Sequence, residues 1–195
     1  HNTDWIVADN CLIAGVCDHL WRSTGQRVRA LNVIFRVDLG QLSDIIERCH
    51  ELFPVIDPGA VWNEQKKTWR FSSGLRVQMA HLEDANSHRA WNGKEILRAY
   101  FDQIEEMPEE QYTYIRMQVR TKDDRLAPYV GCRATGNPGG LFEEWVHNYF
   151  VKPAPQGHRP LVETVRLRDG TTVESARVFI PAFLWDNPNK RFATE

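Results

Sequence analysis

The sequence lacks several features that would place it in a common class of protein at once. No apolar run approaches the roughly 18 residues that a membrane-spanning helix needs, so we expect a soluble protein with no membrane partner. The formal net charge is only -2 at pH 7. Because this charge gives no overall basic field, any contact with nucleic acid must come from a local patch or from another subunit.

Closely spaced cysteine pairs are also missing. The chain has four cysteines, none in a CxxC arrangement, which is typical of reduced thiols in the cytosol rather than of a disulfide framework. Zinc binding is disfavoured because the spacing of the available ligands matches no common zinc site. Those ligands are Cys11, Cys17, His19, Cys49 and His50.

Apolar and aromatic residues are plentiful. The 195 residues are 42% hydrophobic and include seven Trp and nine Phe, which is enough to fill one well-buried core. We therefore predict a single domain over residues 1–195. Because the chain starts at His1 without Met and still has a structured pattern near Glu195, we expect it to be a piece of a longer protein.

The first third of the chain alternates between strand and helix signals. A short apolar run between Asn10 and Gly15 predicts a buried strand, and Asp18–Ser23 predicts a helix. The pattern repeats with a strand over Ala30–Arg36 and a helix from Leu39 until Phe53-Pro54. Two strand-helix units in succession favour a parallel sheet.

The rest of the chain continues this alternation and adds two hairpins. Helices are predicted over Pro108–Arg120 and Leu141–Phe150, and strands over Ile96–Phe101 and Tyr129–Ala134. The hairpins turn at Ser72-Ser73-Gly74 and at Asp169-Gly170. The expected fold class is therefore α/β, a mostly parallel sheet with helices on both faces, plus β-hairpins.

One predicted strand ends in Tyr100-Phe101-Asp102-Gln103. An apolar strand that ends in Asp, followed by Glu or Gln, is what a nucleoside triphosphatase needs beside its phosphate site, because the Asp holds magnesium through water. Gln103 suits the neighbouring position imperfectly, since an amide orients water but cannot accept its proton. The alternative is that Asp102 only ends a strand that leads into a helical region.

A second polar group follows the strand near Ala134. Thr135, Gly136 and Asn137 place a hydroxyl and an amide at the strand end, and the Pro138-Gly139-Gly140 segment supplies a backbone that can approach a ligand closely. These groups could sense a γ-phosphate. The alternative is a simple strand-to-helix turn, because Asn, Pro and Gly dominate turns for geometric reasons. We expect both polar groups at the carboxyl edge of the sheet.

Several short motifs, taken in their order along the chain, resemble the ATPase domain of bacteriophage terminase large subunits, the motors that pump DNA into a capsid. The similarity runs from about Ala30 to about Asn187. Its motifs are Trp62–Phe71, Gly93-Lys94-Glu95, Tyr100–Gln103, Thr135–Gly140 and Trp145-Val146.

The resemblance implies a P-loop NTPase fold of the additional-strand, catalytic-glutamate type that uses ATP and magnesium. In it Asp102 would be the Walker B magnesium residue, Gln103 would occupy the position of the catalytic glutamate, and Thr135-Gly136-Asn137 would be the coupling motif. The implied partners are double-stranded DNA, the portal, the small terminase subunit and further copies in a ring. The implied location is the cytoplasm of the infected bacterial host, and the nuclease domain that normally follows is absent.

The chain departs from this family at the phosphate-binding loop. The family pattern G-x-x-x-x-G-K-[ST] is expected between the first strand and the first helix, where this sequence has Gly15, Val16 and Cys17. If the register is conserved, Val16 replaces the Lys and Cys17 the Ser or Thr; if instead the loop was cut out, the strand and the helix are joined almost directly. In either case the predicted loop is degenerate and the phosphate cradle is lost. With Gln103 in the base position as well, we expect slow ATP hydrolysis or none. The alternatives are a non-catalytic assembly module and a prophage remnant that retains the fold.

Other charged residues carry weaker hypotheses. Arg116 and Arg120 could form an arginine finger towards a neighbouring subunit, or simply a solvated helix face. The basic residues of the first hairpin, together with Trp69, could contact a DNA backbone or form the solvent-exposed face of the hairpin. These basic residues are Lys66, Lys67, Arg70 and Arg76. The adjacent carboxylates are predicted to be surface charge; they are Glu105-Glu106 and Asp123-Asp124.

Overall fold

A computed structural model describes residues 2–38, 40–166, 170 and 172–182. The chain divides into two compact units, His1–Phe142 and Glu143–Glu195, which are described separately. In the described residues of the first unit there are three α-helices and six strands, besides short 3-10 turns; they are α1 (Asn2–Thr24), β1 (Ala30–Arg36), α2 (Ser43–Ile56), β2 (Val61–Asn63), β3 (Thr68–Arg70), β4 (Leu75–His81), β5 (Arg98–Asp102), α3 (Glu109–Arg116) and β6 (Gly131–Thr135). No helix in the described ranges has both the length and the apolar character needed to cross a membrane.

The six strands form one sheet in the order β2-β3-β4-β1-β5-β6. β1 pairs in parallel with both β4 and β5, and β5 pairs in parallel with β6. β2, β3 and β4 form antiparallel hairpins at one side of the sheet. The predicted fold class, a mostly parallel α/β sheet with hairpins, is confirmed.

Both faces of the central strands are covered. On one face α1 and α2 pack over the main apolar cluster, which includes Ile34 and Tyr100. On the other face Phe35 stacks edge-on against Trp91 at 4.9 Å between ring centroids, and Phe101 contacts Tyr112 of α3 at 5.1 Å. Burial on both faces explains why β1 and β5 are almost continuously apolar in sequence.

The first helix corrects the sequence prediction. Instead of a strand near residues 11–14 and a helix over 18–23, α1 is one continuous helix of 23 residues. Its buried positions recur at helical spacing, on one face of the helix; they are Ile6, Val7, Asn10, Ile13, Ala14 and Cys17. The four-residue apolar run was ambiguous between strand and helix, because periodicity cannot distinguish the two over so short a length. The helix ends at Thr24 and is followed by Gly25, whose φ of +72° suits glycine.

The direction of α1 is opposite to that of the parallel strands. At its end, the hydroxyl of Thr24 accepts a hydrogen bond from Arg125, which precedes β6 in sequence. Near its beginning, the ring of Trp5 lies 6.0 Å from the guanidinium of Arg133, inside β6. The first turn of α1 therefore lies towards the carboxyl edge of the sheet and its last turn towards the amino edge.

Two other helix boundaries differ from prediction. α2 continues to Ile56 with Pro54 inside its last turn, where the missing proline N–H removes one hydrogen bond without stopping the helix, and the N–H of Asp57 still reaches the carbonyl of Phe53 at 2.9 Å. α3 ends at Arg116 rather than Arg120. The next residues leave the helix because they pair with the segment before β5, through an isolated bridge between Ile96 and Val119.

The second unit contains a short helix and a hairpin. α4 (Glu143–Val146) runs into a π-helical turn over His147–Val151, so the predicted helix over 141–150 is only partly regular. β7 (Leu161–Arg166) and β8 (Thr172–Arg177) pair antiparallel, which confirms the second predicted hairpin. Of its predicted turn, Gly170 is described with a φ of +86°, whereas Asp169 lies outside the described residues.

Candidate functional site

Three neighbouring parallel strands end at the same edge of the sheet. β1 ends at Arg36, β5 at Asp102 and β6 at Thr135, and the register places Asp102 directly opposite Thr135. The carboxyl edge of a parallel sheet is where α/β proteins commonly place their ligand-binding groups. The polar groups at this edge are therefore the candidate site.

Asp102 and Thr135 are in direct contact. The Thr135 hydroxyl donates a hydrogen bond of 2.7 Å to Oδ1 of Asp102, and Asp102 is buried with 3% of its surface exposed. The two motifs therefore meet in space, as the sequence analysis expected. A buried carboxylate held by a hydroxyl has a fixed orientation, which a metal ligand requires.

Arg36 is a site residue that the sequence analysis missed. One of its terminal nitrogens lies 3.4 Å from Oδ2 of Asp102, and its Nε donates to Oε1 of Gln103 at 3.3 Å. The same terminal nitrogen also donates to the carbonyl of Gln41. The guanidinium therefore balances the buried charge of Asp102 and also orients the Gln103 amide. In the sequence, the signal for this site residue was a basic side chain at the end of an apolar run.

Gln103 has an unusual backbone conformation. Its φ is +58° and its ψ is +58°, in the left-handed region, where a non-glycine residue has a cost of order 1 kcal/mol or more. This conformation turns the chain sharply from β5 into the 3-10 turn Ile104–Glu106. Strained backbone of this kind is concentrated at functional sites, which agrees with the position of Gln103 at the sheet edge.

The prediction that Glu105 and Glu106 are both surface charge is wrong for Glu105. Glu106 is exposed, but Glu105 is buried with 5% of its surface exposed. Its Oε1 accepts a hydrogen bond of 2.9 Å from the backbone N–H of Asn137, and its carbonyl accepts one of 2.8 Å from the N–H of Phe142. The sequence did not indicate this difference, because it arises only from the tight turn after β5, which points the two neighbouring side chains in different directions.

Burial perturbs the titration of Glu105. Desolvation is the largest influence and raises its pKa, and the negative charges of Glu106 and Asp102 raise it further. The N–H of Asn137 and the residue's own N–H act in the opposite direction. Two carboxylates, Asp102 and Glu105, thus lie beneath the same sheet edge, and the proton is held more tightly on Glu105 than on an exposed glutamate.

Residues Gly136–Gly140 form what we name the β6 exit loop, and two of its glycines touch Glu105. A Cβ built on Gly136 would lie 2.7 Å from Oε2 of Glu105. A Cβ on Gly140 would overlap Cγ of Glu105 and lie 2.7 Å from both its Cβ and its carbonyl oxygen. The absence of side chains at these positions is therefore what lets the loop close around Glu105.

The predicted degenerate phosphate loop is not a loop. Gly15, Val16 and Cys17 lie in the middle of α1, where backbone amides are used within the helix. Cys17 is fully buried, and burial raises the pKa of its thiol to about 12, with Asp123 raising it and Arg125 lowering it. Because Asp123 and Arg125 precede β6, Cys17 lies towards the amino edge, away from Asp102.

The hypotheses about the basic hairpin and the arginine finger have different outcomes. Trp69 is 3% exposed and packs against His50, Phe53 and Trp62, so its predicted contact with DNA is wrong. Arg70 and Arg76 are exposed and paired across the hairpin, and their role stays a prediction, as does that of Arg116 and Arg120. Within the described ranges, no three His, Cys, Asp or Glu side chains converge as metal ligands.

Comparisons with known proteins gave structural similarity alone. No protein-family model matches the chain, and no curated protein matches its sequence. The chain is similar to the large terminase of a thermophilic bacteriophage, with a TM-score of 0.47, 13% identity, and 73% of this chain and 34% of that chain covered. A structure of the same terminase in complex with ADP gives a TM-score of 0.45 with the same identity and coverage. The chain therefore spans about a third of the length of the terminase that it matches.

Proposed function

We propose that this chain is a terminase-type ATPase domain that binds ATP with magnesium and acts on double-stranded DNA. The observation that carries the proposal is the hydrogen bond between Asp102 and Thr135 at the carboxyl ends of adjacent parallel strands. It joins the two motifs on which the family resemblance depends most. The domain spans residues 1–195 and works in a homo-oligomeric ring with the portal and the small terminase subunit, in the cytoplasm of an infected bacterium.

The donor set at the sheet edge fits magnesium. Mg²⁺ usually keeps several waters and is bound through one or two carboxylates together with substrate phosphates. Asp102 supplies one buried carboxylate whose Oδ1 is oriented by Thr135, and it would hold the ion. When bound, the ion would neutralise negative charge on the phosphates. Arg36, next to Oδ2 of Asp102, adds a second positive charge to the same edge.

The middle of α1 supplies no phosphate-binding loop, because its backbone amides are used within the helix. Because α1 runs antiparallel to the parallel strands, its first turn lies towards the edge that carries Asp102. The loss of a phosphate cradle, inferred from Gly15, Val16 and Cys17, therefore has no structural basis in that segment.

Gln103 sets the expected rate of hydrolysis. An amide oxygen can orient a water molecule but cannot take up its proton, and here that oxygen already accepts from Arg36. A general base typically contributes about 10²- to 10⁴-fold to a rate. We therefore propose that the domain binds nucleotide but hydrolyses it slowly.

A non-catalytic assembly module is the second candidate, and the pairing of Gln103 with Arg36 favours it. Such a module would keep the fold and offer its surfaces to the small terminase subunit or the portal, without turnover. A prophage remnant that retains the fold is the limiting case of this alternative.

Titration of the purified chain with a fluorescent ATP analogue, with and without magnesium, tests the proposal. We expect saturable, magnesium-dependent binding that Asp102→Asn weakens at least tenfold. Asp124→Asn is the matched control because Asp124 is exposed and precedes β6 at the opposite edge. A titration that never saturates in the unaltered protein would contradict nucleotide binding and favour the assembly module.

Phosphate release then separates a slow enzyme from a non-catalytic module. We expect Gln103→Glu to raise release by about 10²- to 10⁴-fold, whereas a module without a catalytic geometry would gain nothing. Binding to double-stranded DNA should be measured over a salt series, because affinity that depends on phosphate contacts falls steeply as ionic strength rises.

A further inference from the structure

Glu105 holds both ends of the β6 exit loop. Its side-chain Oε1 accepts the N–H of Asn137 near the beginning of the loop. Its backbone carbonyl accepts the N–H of Phe142, just beyond the end of the loop. A single residue on the turn after β5 is therefore bonded to the chain on both sides of the loop that follows β6.

The loop also packs directly on this side chain. Oε2 of Glu105 and its Cγ occupy the space where side chains would stand at Gly136 and Gly140. Gly139, between them, has open space around it. The two close glycines are therefore the ones that face Glu105, so the loop is shaped around this carboxyl group.

The arrangement leaves one polar atom without a partner in the described part of the chain. Oε2 of Glu105 is buried, and the described residues offer it no hydrogen bond. A buried polar atom without a partner is destabilising, and more so when it carries charge. An apolar side chain would avoid that penalty but would leave the Asn137 N–H without its acceptor. What a carboxylate adds is an acceptor for the Asn137 N–H, and hence a defined loop conformation.

We propose that Glu105 is a positioning residue through which the turn after β5 sets the conformation of the β6 exit loop. Gln103 and Glu105 belong to the same tight turn, so a change at the end of β5 reaches the loop through the Glu105 carboxylate and carbonyl. The role of this connection in function rests on the proposed ATPase activity. In that proposal Asp102 and Gln103 face the nucleotide, and the β6 exit loop responds to whether nucleotide is bound.

Amide hydrogen exchange of the ¹⁵N-labelled full chain, followed by NMR, tests the proposal. In Glu105→Ala we expect the Asn137 amide to exchange about 10- to 100-fold faster, as the loss of a hydrogen bond to a charged group predicts. Glu105→Gln retains an acceptor oxygen and should restore protection. Glu106→Ala is the matched control because Glu106 is exposed. The Val33 amide in β1 reports global opening, and an Asn137 rate that does not change relative to Val33 overturns the proposal.

A double-mutant cycle provides a second, independent measurement. Gly136→Ala should lower the urea midpoint of the unaltered protein because the new Cβ meets Oε2 of Glu105. In a Glu105→Ala background this loss should shrink, since the atom it meets has been removed. Equal losses in both backgrounds would mean that Glu105 does not shape the loop.

The two proposals fail in distinguishable ways. If the ATP analogue does not bind but Asn137 exchange depends on Glu105, the ATPase function is wrong and the positioning role stands. If the analogue binds and Asn137 exchange is insensitive to Glu105, the positioning role is wrong. Bound analogue should also change the Asn137 exchange rate in the unaltered protein and not in Glu105→Ala, a result that a merely structural contact would not give.

Discussion

Two buried polar clusters involve the same central strand, and they differ in how completely they are paired. In the first, Oδ2 of Asp9 in α1 accepts hydrogen bonds from Arg98 at 2.8 Å and from the Tyr100 hydroxyl at 2.7 Å. The Nε of Arg98 also donates to the carbonyl of Tyr129 at 2.9 Å. Short, mutually supporting bonds of this kind fix α1 onto β5. We name this group the helix-strand cluster.

The second group, which we name the edge cluster, contains Arg36, Asp102, Gln103 and Glu105. Its contacts to Arg36 are longer, at 3.3 and 3.4 Å. It also contains a left-handed residue, Gln103, and a buried oxygen without a partner in the described chain, on Glu105. Stored backbone strain and an unsatisfied buried polar atom are common at functional sites.

The comparison indicates that β5 has a different task at each end. Its beginning, at Arg98 and Tyr100, attaches the strand to α1 through a fully paired network. Its end, at Asp102, carries groups whose contacts to Arg36 are longer, next to a left-handed residue. The following predictions test this difference, from the largest expected effect to the smallest.

The largest effect is expected for Asp9→Ala. Removing this carboxylate leaves Arg98, whose side chain is 8% exposed, as an unpaired buried charge, and such a loss destabilises by about 3–5 kcal/mol. Urea unfolding followed by tryptophan fluorescence measures it. On the same helix, Asp4 pairs with Arg48 at the surface with side chains 56% and 43% exposed. Asp4→Ala should therefore change stability by no more than about 1 kcal/mol, and equal losses in the two variants would contradict a special role for the helix-strand cluster.

An intermediate effect is expected for Gly140→Ala. The added methyl group overlaps the side chain of Glu105, and overpacking of this kind has a typical cost of about 1–3 kcal/mol. Thermal unfolding by circular dichroism measures the change. The control is Gly131→Ala at the start of β6, where a Cβ meets nothing within 4 Å, so little change is expected. A neutral Gly140→Ala would show that the loop can move away from Glu105 freely.

The smallest effect is the pH dependence contributed by Glu105. Burial raises its pKa above the ordinary value of 4.5, so the folded protein keeps this proton to a higher pH than the unfolded chain does. The stability contributed by the neutral carboxyl is complete below pH 4.5 and is lost as pH rises through the folded pKa. Urea midpoints measured from about pH 4 to 7 should show this decline in the unaltered protein and in Glu106→Gln. The decline should be reduced in Glu105→Gln, and parallel profiles for all three proteins would contradict the assignment.

Local sequence pattern was sufficient for the central sheet. Ala30–Arg36 and the segment ending at Asp102 are apolar runs bounded by polar residues, and the two predicted hairpins, β3–β4 and β7–β8, each contain a turn glycine. The β2–β3 hairpin, whose turn has no glycine, was not predicted. The meeting of Asp102 and Thr135 also followed from the rule that parallel strands end at the same edge. These features depend on interactions within a few residues or on simple topology.

The features that the sequence analysis missed depend on contacts between distant segments. The segment Cys11–Ala14 has the composition of a strand, and packing against the sheet decides that Ile13 and Ala14 lie on the buried face of α1 while Leu12 is exposed. Glu105 and Glu106 are chemically identical neighbours, and only the turn after β5 determines which of them is buried. Arg36 becomes a site residue only because β5 pairs beside β1.

The left-handed backbone at Gln103 has an evolutionary consequence. Glutamine and glutamate have the same shape and meet the same steric penalty at a positive φ, so exchanging them leaves the turn unchanged. Their codons differ by a single base. Exchange of Gln103 for Glu is therefore a single-base substitution that the backbone of this turn already accommodates.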